Sequence, residues 1–246
     1  MTDETLPLYL ADPYRLEGPA TVVAVTPEGR IRLDRPLFYP AGGGQPGDAG
    51  ALEIGGRTLA IIDTVKGEGG LPELVPAEGE AAPAVGAAGV QRLDAARRLG
   101  HMRVHTALHL LSVVIPLPVT GGQISAEKGR LDFDMPEPPE DKDALEARLN
   151  ALIAEDHPVG MEWITDAELD ANPGLVKTMA VQPPRGAGRV RLVRIGSGDR
   201  TVDLQPCGGT HVRATAEIGR VRLGKIEKKG RTNRRVTLHL ETPAEG

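Results

Sequence analysis

The chain has 246 residues, of which 40% are hydrophobic and 26% charged, the composition of a globular protein with a core of its own. Its 31 glycines, 21 prolines and 2% aromatic residues indicate many turns, and its length allows one large or two modest domains. Cys207 is the only cysteine, which excludes an intramolecular disulfide, and no apolar run reaches the roughly 18 residues of a membrane span. We therefore expect a cytoplasmic protein that has no membrane partner.

The formal net charge of −5 argues against a protein that coats nucleic acid by bulk electrostatics. The charge is not evenly distributed along the chain. Residues 1–90 carry 13 acids and 6 bases, whereas residues 213–235 carry nine bases and two acids. A run of this kind is usually a solvated strand pair and turn. It is also where an RNA contact is to be sought, and Lys225 and Arg231 are the candidate contacts to phosphate.

The first part of the chain predicts short strands and no helix. Alternating apolar residues run from Ala20 to Leu37 around the turn Pro27-Glu28-Gly29, which predicts a hairpin. Further strand patterns cover 51–54 and 58–65. Strands broken by glycine and proline favour a small β-barrel or sandwich for roughly the first 85 residues.

Residues 76–89 are small and rich in proline, glycine and alanine, as in a linker. We therefore predict an N-terminal β-barrel domain over 1–88 and a second domain over 89–246. The second domain mixes helical and strand patterns, which predicts an α+β fold with helices packed on an antiparallel sheet. The helical patterns cover 94–115, with an interruption at Gly100, and 142–156, and the strand patterns cover 120–135, 189–195, 219–226 and 235–240.

Two short segments carry residue types that bind zinc. His105 and His109 are four residues apart, so on a helix both imidazoles project from one face about one turn apart. Far along the chain, Cys207 and His211 flank a Gly-Gly turn that allows both side chains to face one point. Three histidines and one cysteine suit a tetrahedral zinc site, and we predict one zinc ion at these four residues.

Each half of this set also has an ordinary structural reading. The histidine pair alone could be two helix residues, and a lone cysteine is more often a small buried apolar residue than a ligand. The clustering of three of the six histidines with the only cysteine favours zinc. The residue after His105 is Thr106 and not the glutamate of HExxH, which disfavours a zinc peptidase. Four protein ligands are typical of structural sites, whereas catalytic sites keep an open position, and the sequence leaves both open.

A glycine-rich segment, Phe38 to Gly50, is the most unusual stretch of the first domain. Its successive glycines allow backbone N–H groups to approach a phosphate or ribose closely, and Gln45 adds an amide that donates and accepts. The segment lacks the Lys-Ser/Thr of a P-loop and does not match GxGxxG, so a nucleotide site is not expected. The alternative is a tight turn capped by Asp48.

Five segments, taken in order, resemble the free-standing alanyl-tRNA editing proteins, the AlaX family, in their longer form with an N-terminal barrel that carries a GGQ element. The segments are FYPAGGGQPGDAG, HMRVHTALHLL, RLDF, PCGGTHV and EIGRVRLGKIEKKGRTNRR. The resemblance covers nearly the whole chain, and it extends to the editing domains of alanyl- and threonyl-tRNA synthetases. The chain is too short to include an aminoacylation core.

The resemblance implies a trans-editing hydrolase that removes serine from Ser-tRNA(Ala), with Gly-tRNA(Ala) as a second candidate substrate, by ATP-independent cleavage of the aminoacyl ester. It carries the zinc ligands over to His105, His109, Cys207 and His211. It also implies that Gln45, with Gly43 and Gly44 beside it, contacts the substrate and assists catalysis. Thr120 is the candidate for the pocket threonine of the family.

Two competing functions remain open on the sequence. A zinc-stabilised tRNA-binding module without hydrolytic activity would share the fold and the metal, whereas a pocket at Thr120 and the Gln45 loop favour an enzyme. A generic zinc hydrolase acting on small esters is disfavoured by the missing acid/base glutamate and by the basic segment. The expected partner is mischarged alanine tRNA; no protein partner is predicted, and the sequence does not determine the oligomeric state.

Overall fold

A computed structural model describes residues 7–179 and 188–241. Contacts divide the chain into two compact units, Met1–Gly100 and His101–Gly246. The described part of the first unit contains a closed six-stranded barrel, and that of the second contains antiparallel sheets with few helices. The predicted fold class, a small β-barrel followed by an α+β region, is confirmed. None of the described helices is both long and apolar enough to cross a membrane.

The first unit is built from short strands. Its elements are α1 (Leu8–Ala11), β1 (Glu17–Val25), β2 (Ile31–Leu33), β3 (Gly50–Ile54), β4 (Arg57–Lys66), a 3-10 turn (Glu68–Gly70), β5 (Pro72–Pro76) and β6 (Ala88–Leu93). The strands pair in the order β1-β2-β5-β4-β3-β6, and β6 pairs with β1 to close the barrel. Alternate side chains point inward to form an aliphatic core that includes Ile31, Leu52 and Leu74.

Most of the strand predictions for this unit are confirmed. The hairpin around Pro27-Glu28-Gly29 joins β1 to β2, and the patterns at 51–54 and 58–65 lie in β3 and β4. The expectation that this region has no helix was wrong, because α1 and a 3-10 turn are present. Contacts divide the chain after Gly100, and β6 belongs to the barrel because it pairs with both β1 and β3.

The second unit consists of two sheets and the helices beside them. Its elements are α2 (Ala95–Val114, which contains the point of division), β7 (Val119–Ile124), β8 (Lys128–Asp134), α3 (Lys142–Ala154), β9 (Val159–Thr165), α4 (Asp166–Ala171), β10 (Arg189–Ser197), β11 (Arg200–Pro206), β12 (Val221–Leu223), β13 (Glu227–Lys228) and β14 (Asn233–Leu240). One sheet has the order β11-β10-β9 and the other β12-β14-β8-β7, with β13 also paired to β14. All of their strand pairs are antiparallel.

Helix α2 packs against β8 at a glycine. A Cβ at Gly129 would lie 2.5 Å from Val104 Cγ1 and 3.0 Å from Leu108 Cδ1, so only glycine allows this approach. Val104 and Leu108 are buried, and each directly precedes a histidine of the predicted zinc site. The packing of this face therefore fixes where the neighbouring histidines point.

Some predictions for the second unit need correction. The predicted interruption at Gly100 was wrong, since α2 continues through it to Val114. The strands β9 and β11 were not predicted, although both belong to the sheet that leads into the cysteine motif. The strand expected over 219–226 is shorter, with only Val221–Leu223 in β12.

Candidate metal centre

Helix α2 and the turn after β11 bring together the four predicted zinc ligands. The ligand atoms of His105, His109, Cys207 and His211 all lie within 4.8 Å of one another. The two α2 histidines are one turn apart on one face, and their ring centroids are 5.3 Å apart. The three histidines are buried, and the cysteine is partly exposed. Residues that are about 100 positions apart in the sequence thus form one cluster.

The distances within the cluster fit a zinc ion. Cys207 Sγ lies 3.4 Å from His105 Nε2 and 3.3 Å from His211 Nε2. Zinc bonds of about 2.0 Å to nitrogen and 2.3 Å to sulfur in tetrahedral geometry give a nitrogen-to-sulfur separation of about 3.5 Å. The donor set of three imidazoles and one thiolate is one that zinc prefers. The chemistry and spacing of these residues therefore fit zinc.

Outward hydrogen bonds determine which nitrogen His109 offers to the cluster. His109 Nδ1 lies 2.9 Å from Asp203 Oδ2, and because a carboxylate only accepts, Nδ1 carries the proton. Once the ring is neutral, Nε2 is therefore the unprotonated nitrogen, and this is the form that binds metal. Asp203 Oδ1 lies 2.6 Å from Lys177 Nζ, and Gln205 Nε2 donates to Asp203 Oδ2 over 2.7 Å. Asp203 is buried and accepts from three side chains.

A threonine has the same role for His211. Thr106 Oγ1 donates to the Met102 carbonyl over 2.8 Å, so its oxygen accepts from His211 Nδ1 at 3.1 Å. The Nε2 atom of His211 is left to face Cys207. Thr106 is the residue at which a zinc peptidase would carry its glutamate, and here it orients a ligand.

The turn that carries Cys207 is tied to strand β10 by an arginine. Arg191 Nη1 donates to the carbonyls of Cys207, over 2.7 Å, and Gly209, over 2.9 Å. The Cys207 amide donates to the Arg191 carbonyl over 3.2 Å. The Gly209 amide lies 3.4 Å from the Cys207 sulfur and donates toward it. These bonds hold the cysteine and His211 on the same side of the turn.

The electrostatics of the cluster favour the metal-binding form of the cysteine. Burial acts to raise the pKa of the Cys207 thiol, but the nearby His105 and His211 hold it well below its usual value. Burial, together with His105, lowers the pKa of His211 to about 3. Burial also opposes a charge on His109, yet hydrogen bonds to Asp203 and Cys207 raise its pKa to about 9. Zinc would therefore displace a proton from His109 as it binds.

The carboxyl of Asp203 is ionised at neutral pH. Burial acts to raise its pKa, but the hydrogen bond to His109 and the charge of Lys177 lower it to about 2. The acid is therefore a fixed negative charge next to His109 of the cluster.

Thr120, the predicted pocket threonine, lies on β7. Its Oγ1 is 3.1 Å from the Asp132 carbonyl and 3.0 Å from Asn233 Oδ1. The preceding residue, Val119, donates its amide to the Lys177 carbonyl over 3.0 Å. Lys177 in turn reaches Asp203, so a short path of hydrogen bonds leads from the strand of Thr120 to the metal cluster.

The glycine-rich segment of the first unit forms a tight turn. The amides and carbonyls of Gly42 and Gln45 exchange two hydrogen bonds of 3.0 Å, with Gly43 and Gly44 between them. Gly43 has φ +60° and Gly44 has φ +85°, the backbone of a two-residue hairpin turn that favours glycine at both positions. Gly43 and Gly44 are exposed, whereas Gln45 is only 2% exposed.

A buried ion pair anchors the end of this segment. Asp48 Oδ2 accepts from the Tyr39 amide over 2.6 Å and from Arg98 Nε over 3.0 Å. Both charged side chains are 1% exposed. Arg98 also donates to the Leu37 carbonyl over 2.7 Å. The tight turn considered from the sequence is present, and Asp48 fixes both ends of the segment.

The basic segment divides into structural and exposed residues. Arg234 donates to the Pro136 carbonyl over 2.6 Å, and Arg235 pairs with Asp132 over 2.7 Å. Lys225 and Arg231, the candidate phosphate contacts, are exposed on either side of β13. The charge available to an RNA is therefore smaller than the sequence alone suggests.

Comparison with known proteins gives consistent matches. A family model described as the threonyl and alanyl tRNA synthetase second additional domain matches residues 190–237. The chain is 35% identical over 243 residues to the alanyl-tRNA editing protein AlaX-M of Methanosarcina acetivorans, covering 95% of this chain and 98% of that protein. It is 32% identical over 238 residues to AlaX-L of Pyrococcus horikoshii, covering 91% of this chain and 55% of that protein. The chain belongs to the family of alanyl-tRNA editing proteins.

The similarity also extends to synthetases. The chain is 35% identical over 233 residues to the alanine–tRNA ligase of Caldivirga maquilingensis, covering 91% of this chain and 25% of that enzyme. The family model covers the cysteine motif of this AlaX-family chain, whereas the first two histidines lie on α2, outside the matched residues. The expected resemblance to the AlaX family is confirmed.

Sequence reasoning on this AlaX-family chain missed the residues that orient the ligands, namely Thr106, Lys177, Arg191, Asp203 and Gln205. A signal for two of them was present. Asp203, Gln205 and Cys207 alternate along one segment, so on a strand they share a face. No comparable pattern marks Lys177 or Arg191, which act from distant segments.

We expect one zinc ion per chain in the purified protein, and less than a tenth of that in Cys207→Ala, because three imidazoles without the thiolate bind zinc much more weakly. Metal content measured by mass spectrometry checks this. His157→Ala is the matched control, since it removes a histidine outside the cluster that pairs with Glu155. Equal zinc in Cys207→Ala and the wild type would contradict the assignment of the ligands.

Proposed function

We propose that this protein is a trans-editing hydrolase that deacylates Ser-tRNA(Ala), with Gly-tRNA(Ala) as a second substrate. The observation that carries the proposal is a four-residue zinc-type cluster in a chain that matches an alanyl-tRNA editing protein almost end to end. The reaction needs no ATP, because water cleaves the ester between the amino acid and the terminal ribose. The cytoplasm, where tRNA is charged, is the proposed location.

His105, His109, Cys207 and His211 would hold the zinc ion, which would supply a positive charge that orients the carbonyl or amino group of the aminoacyl ester. Four protein ligands leave little room for a metal-bound hydroxide, so we favour substrate positioning over activation of water. The residues of the chain then hold the ester in one geometry and guide water to the carbonyl carbon through hydrogen bonds. The carbon–oxygen bond breaks, and the ribose oxygen takes a proton from the water.

Selectivity for serine needs a polar partner for its hydroxyl. A synthetase site built for alanine rejects an added hydroxyl poorly, so a second, hydrolytic site is required. Thr120 is proposed for this role. Its hydroxyl has one donor and two acceptor positions, and after donating to Asp132 or Asn233 it still accepts from serine. Alanine offers no such donor and gains nothing from this residue.

The tRNA is proposed to be the partner of the protein, with Lys225 and Arg231 on its phosphates. Gln45 is proposed to assist from the first unit, with the exposed Gly43 and Gly44 beside it. The small residues of the turn leave its outer backbone accessible to ribose or phosphate.

We expect the purified protein to deacylate Ser-tRNA(Ala) at least ten times faster than Ala-tRNA(Ala), since only the serine ester supplies the hydroxyl that the pocket recognises. Loss of labelled amino acid from Ser-, Gly- and Ala-tRNA(Ala) measures this, with Cys207→Ala and His157→Ala compared at equal protein concentration. Serine release that is lost only in Cys207→Ala supports a zinc-dependent hydrolase. Tight tRNA binding without ester cleavage would instead support the zinc-stabilised binding module.

Replacement of Thr120 by valine, which has the same shape, is expected to lower kcat/KM for Ser-tRNA(Ala) about 3- to 10-fold, the value of one neutral hydrogen bond. The slow rate on Ala-tRNA(Ala) should stay the same. Thr58→Val, at an exposed threonine of a strand in the first unit, is the matched control. An unchanged ratio of serine to alanine rates would remove Thr120 from the pocket.

Substitution of Lys225 or Arg231 by alanine is expected to weaken tRNA binding and to reduce the slope of log affinity against log salt by roughly 0.7–0.9 per lost phosphate contact. Fluorescence anisotropy with labelled tRNA over a salt series measures both effects. Arg148→Ala removes an equal charge from an exposed position on α3 and serves as the control. If all three variants show the slope of the wild type, the basic segment does not bind the tRNA.

A further inference from the structure

The buried Asp203 has no part in the function proposed above, yet it contacts the metal cluster. It accepts hydrogen bonds from His109, Lys177 and Gln205, with distances between 2.6 and 2.9 Å. A buried carboxylate costs stability unless its partners fully compensate for the loss of water. Three donors on one fully buried acid therefore indicate a group that is held in one orientation.

We infer that Asp203 is a positioning residue for zinc, which fixes His109 in the tautomer that presents Nε2 to the metal, and that Lys177 links this acid to strand β7. The proposal rests on direct geometry at His109, where Nδ1 is 2.9 Å from the acid. Acids behind metal-binding histidines orient the ring and increase its basicity. Another cluster histidine, His211, is held by the neutral hydroxyl of Thr106. His109 therefore has the stronger support.

Lys177 makes two connections at once. Its Nζ lies 2.6 Å from Asp203 Oδ1, and its carbonyl accepts from the Val119 amide on β7 over 3.0 Å. Met179 returns its amide to the Val119 carbonyl over 2.8 Å, so the segment is paired to the strand on both sides of Thr178. The side chain of Lys177 is thus the link between β7, where Thr120 lies, and the strand that leads to Cys207.

The first test measures metal binding and is independent of activity. Asp203→Asn is expected to weaken zinc affinity 10- to 100-fold, as loss of the acid behind a metal-binding histidine does elsewhere. Competition with a chromophoric chelator gives the affinity. Asp199→Asn removes the same charge from the exposed turn of the same hairpin and should leave the affinity within about twofold. Equal zinc affinity in Asp203→Asn and the wild type would overturn the assignment.

A second measurement needs no variant and so does not depend on how Asp203→Asn folds. In the zinc-loaded wild type, nitrogen-15 correlation spectra of the histidine rings should show His109 with a proton on Nδ1 and with Nε2 bound to metal. Binding through Nδ1, with the proton on Nε2, is incompatible with a hydrogen bond to Asp203 and would refute the role.

The link to β7 rests on the proposed function and is tested in the deacylation assay. Lys177→Met is expected to keep one zinc per chain but to lower kcat on Ser-tRNA(Ala) 10- to 100-fold, because small shifts of positioning groups cost rates of this order. KM should change little, since the proposed tRNA contacts lie elsewhere. Lys142→Met, at a half-exposed lysine on α3, is the control.

The outcomes separate the two proposals. A wild-type protein that cleaves no aminoacyl ester refutes the proposed function but leaves the zinc affinity and ring-nitrogen results unaffected. An active wild type with an equally active Lys177→Met refutes the link alone. A Lys177→Met protein that loses its zinc also refutes the link, since Lys177 would then support the metal site itself.

Discussion

The second unit is organised around the convergence of four electron-donating groups within 4.8 Å. Burying three imidazoles and a thiolate is unfavourable unless a cation compensates. The two contributing segments are also far apart in the sequence, so chain entropy opposes their meeting. Close packing supplies the rigid frame, since Gly129 lets α2 approach β8 and the β10–β11 hairpin delivers the cysteine turn. The proposed binding of zinc would therefore be coupled to the folding of this unit.

The cluster depends on bonds that face away from it. Asp203 holds His109, Thr106 holds His211, and Arg191 holds the turn that carries Cys207. These partners come from different elements, so the orientation of these three cluster residues is fixed by separate tertiary contacts. These hydrogen bonds keep the metal-binding nitrogen and sulfur atoms of the cluster directed toward its centre. They therefore reduce the side-chain movement that metal binding requires.

The first unit uses its polar residues differently. Asp48 and Arg98 form a fully buried ion pair that also satisfies the backbone of Tyr39 and Leu37. The glycine-rich turn between Tyr39 and Asp48 is therefore displayed from a fixed base, with Gly43 and Gly44 at its exposed tip. A rigid turn of this kind suits a contact surface, because no ordering entropy is lost on binding. In the basic segment, by contrast, Arg234 and Arg235 bond to other parts of the fold. Only the exposed basic residues of that segment remain for contact with a partner.

Four features could be predicted from the sequence, namely the candidate set of zinc ligands, the barrel strands around Pro27-Glu28-Gly29, the α+β character of the second half and the family. These follow from local spacing, since residues four apart share a helix face and alternating residues share a strand face. The composition of 76–89 resembles a linker, whereas the pairing of β6 with β1 is a long-range contact that composition does not record. The interruption predicted at Gly100 was wrong, because packing overrides the weak helix propensity of glycine.

The groups that orient the cluster residues could not be predicted from the sequence, because they depend on tertiary contacts. Lys177, Asp203 and His109 come from three separate segments, and no local periodicity records that their side chains meet. The burial of Gln45 and the pairing of Arg235 with Asp132 could not be predicted from the sequence either. Both depend on which residues pack beside these side chains in the folded protein. The identity of the candidate ligands can be predicted from residue type and spacing. Their orientation cannot, because it depends on contacts between segments that are distant in the chain.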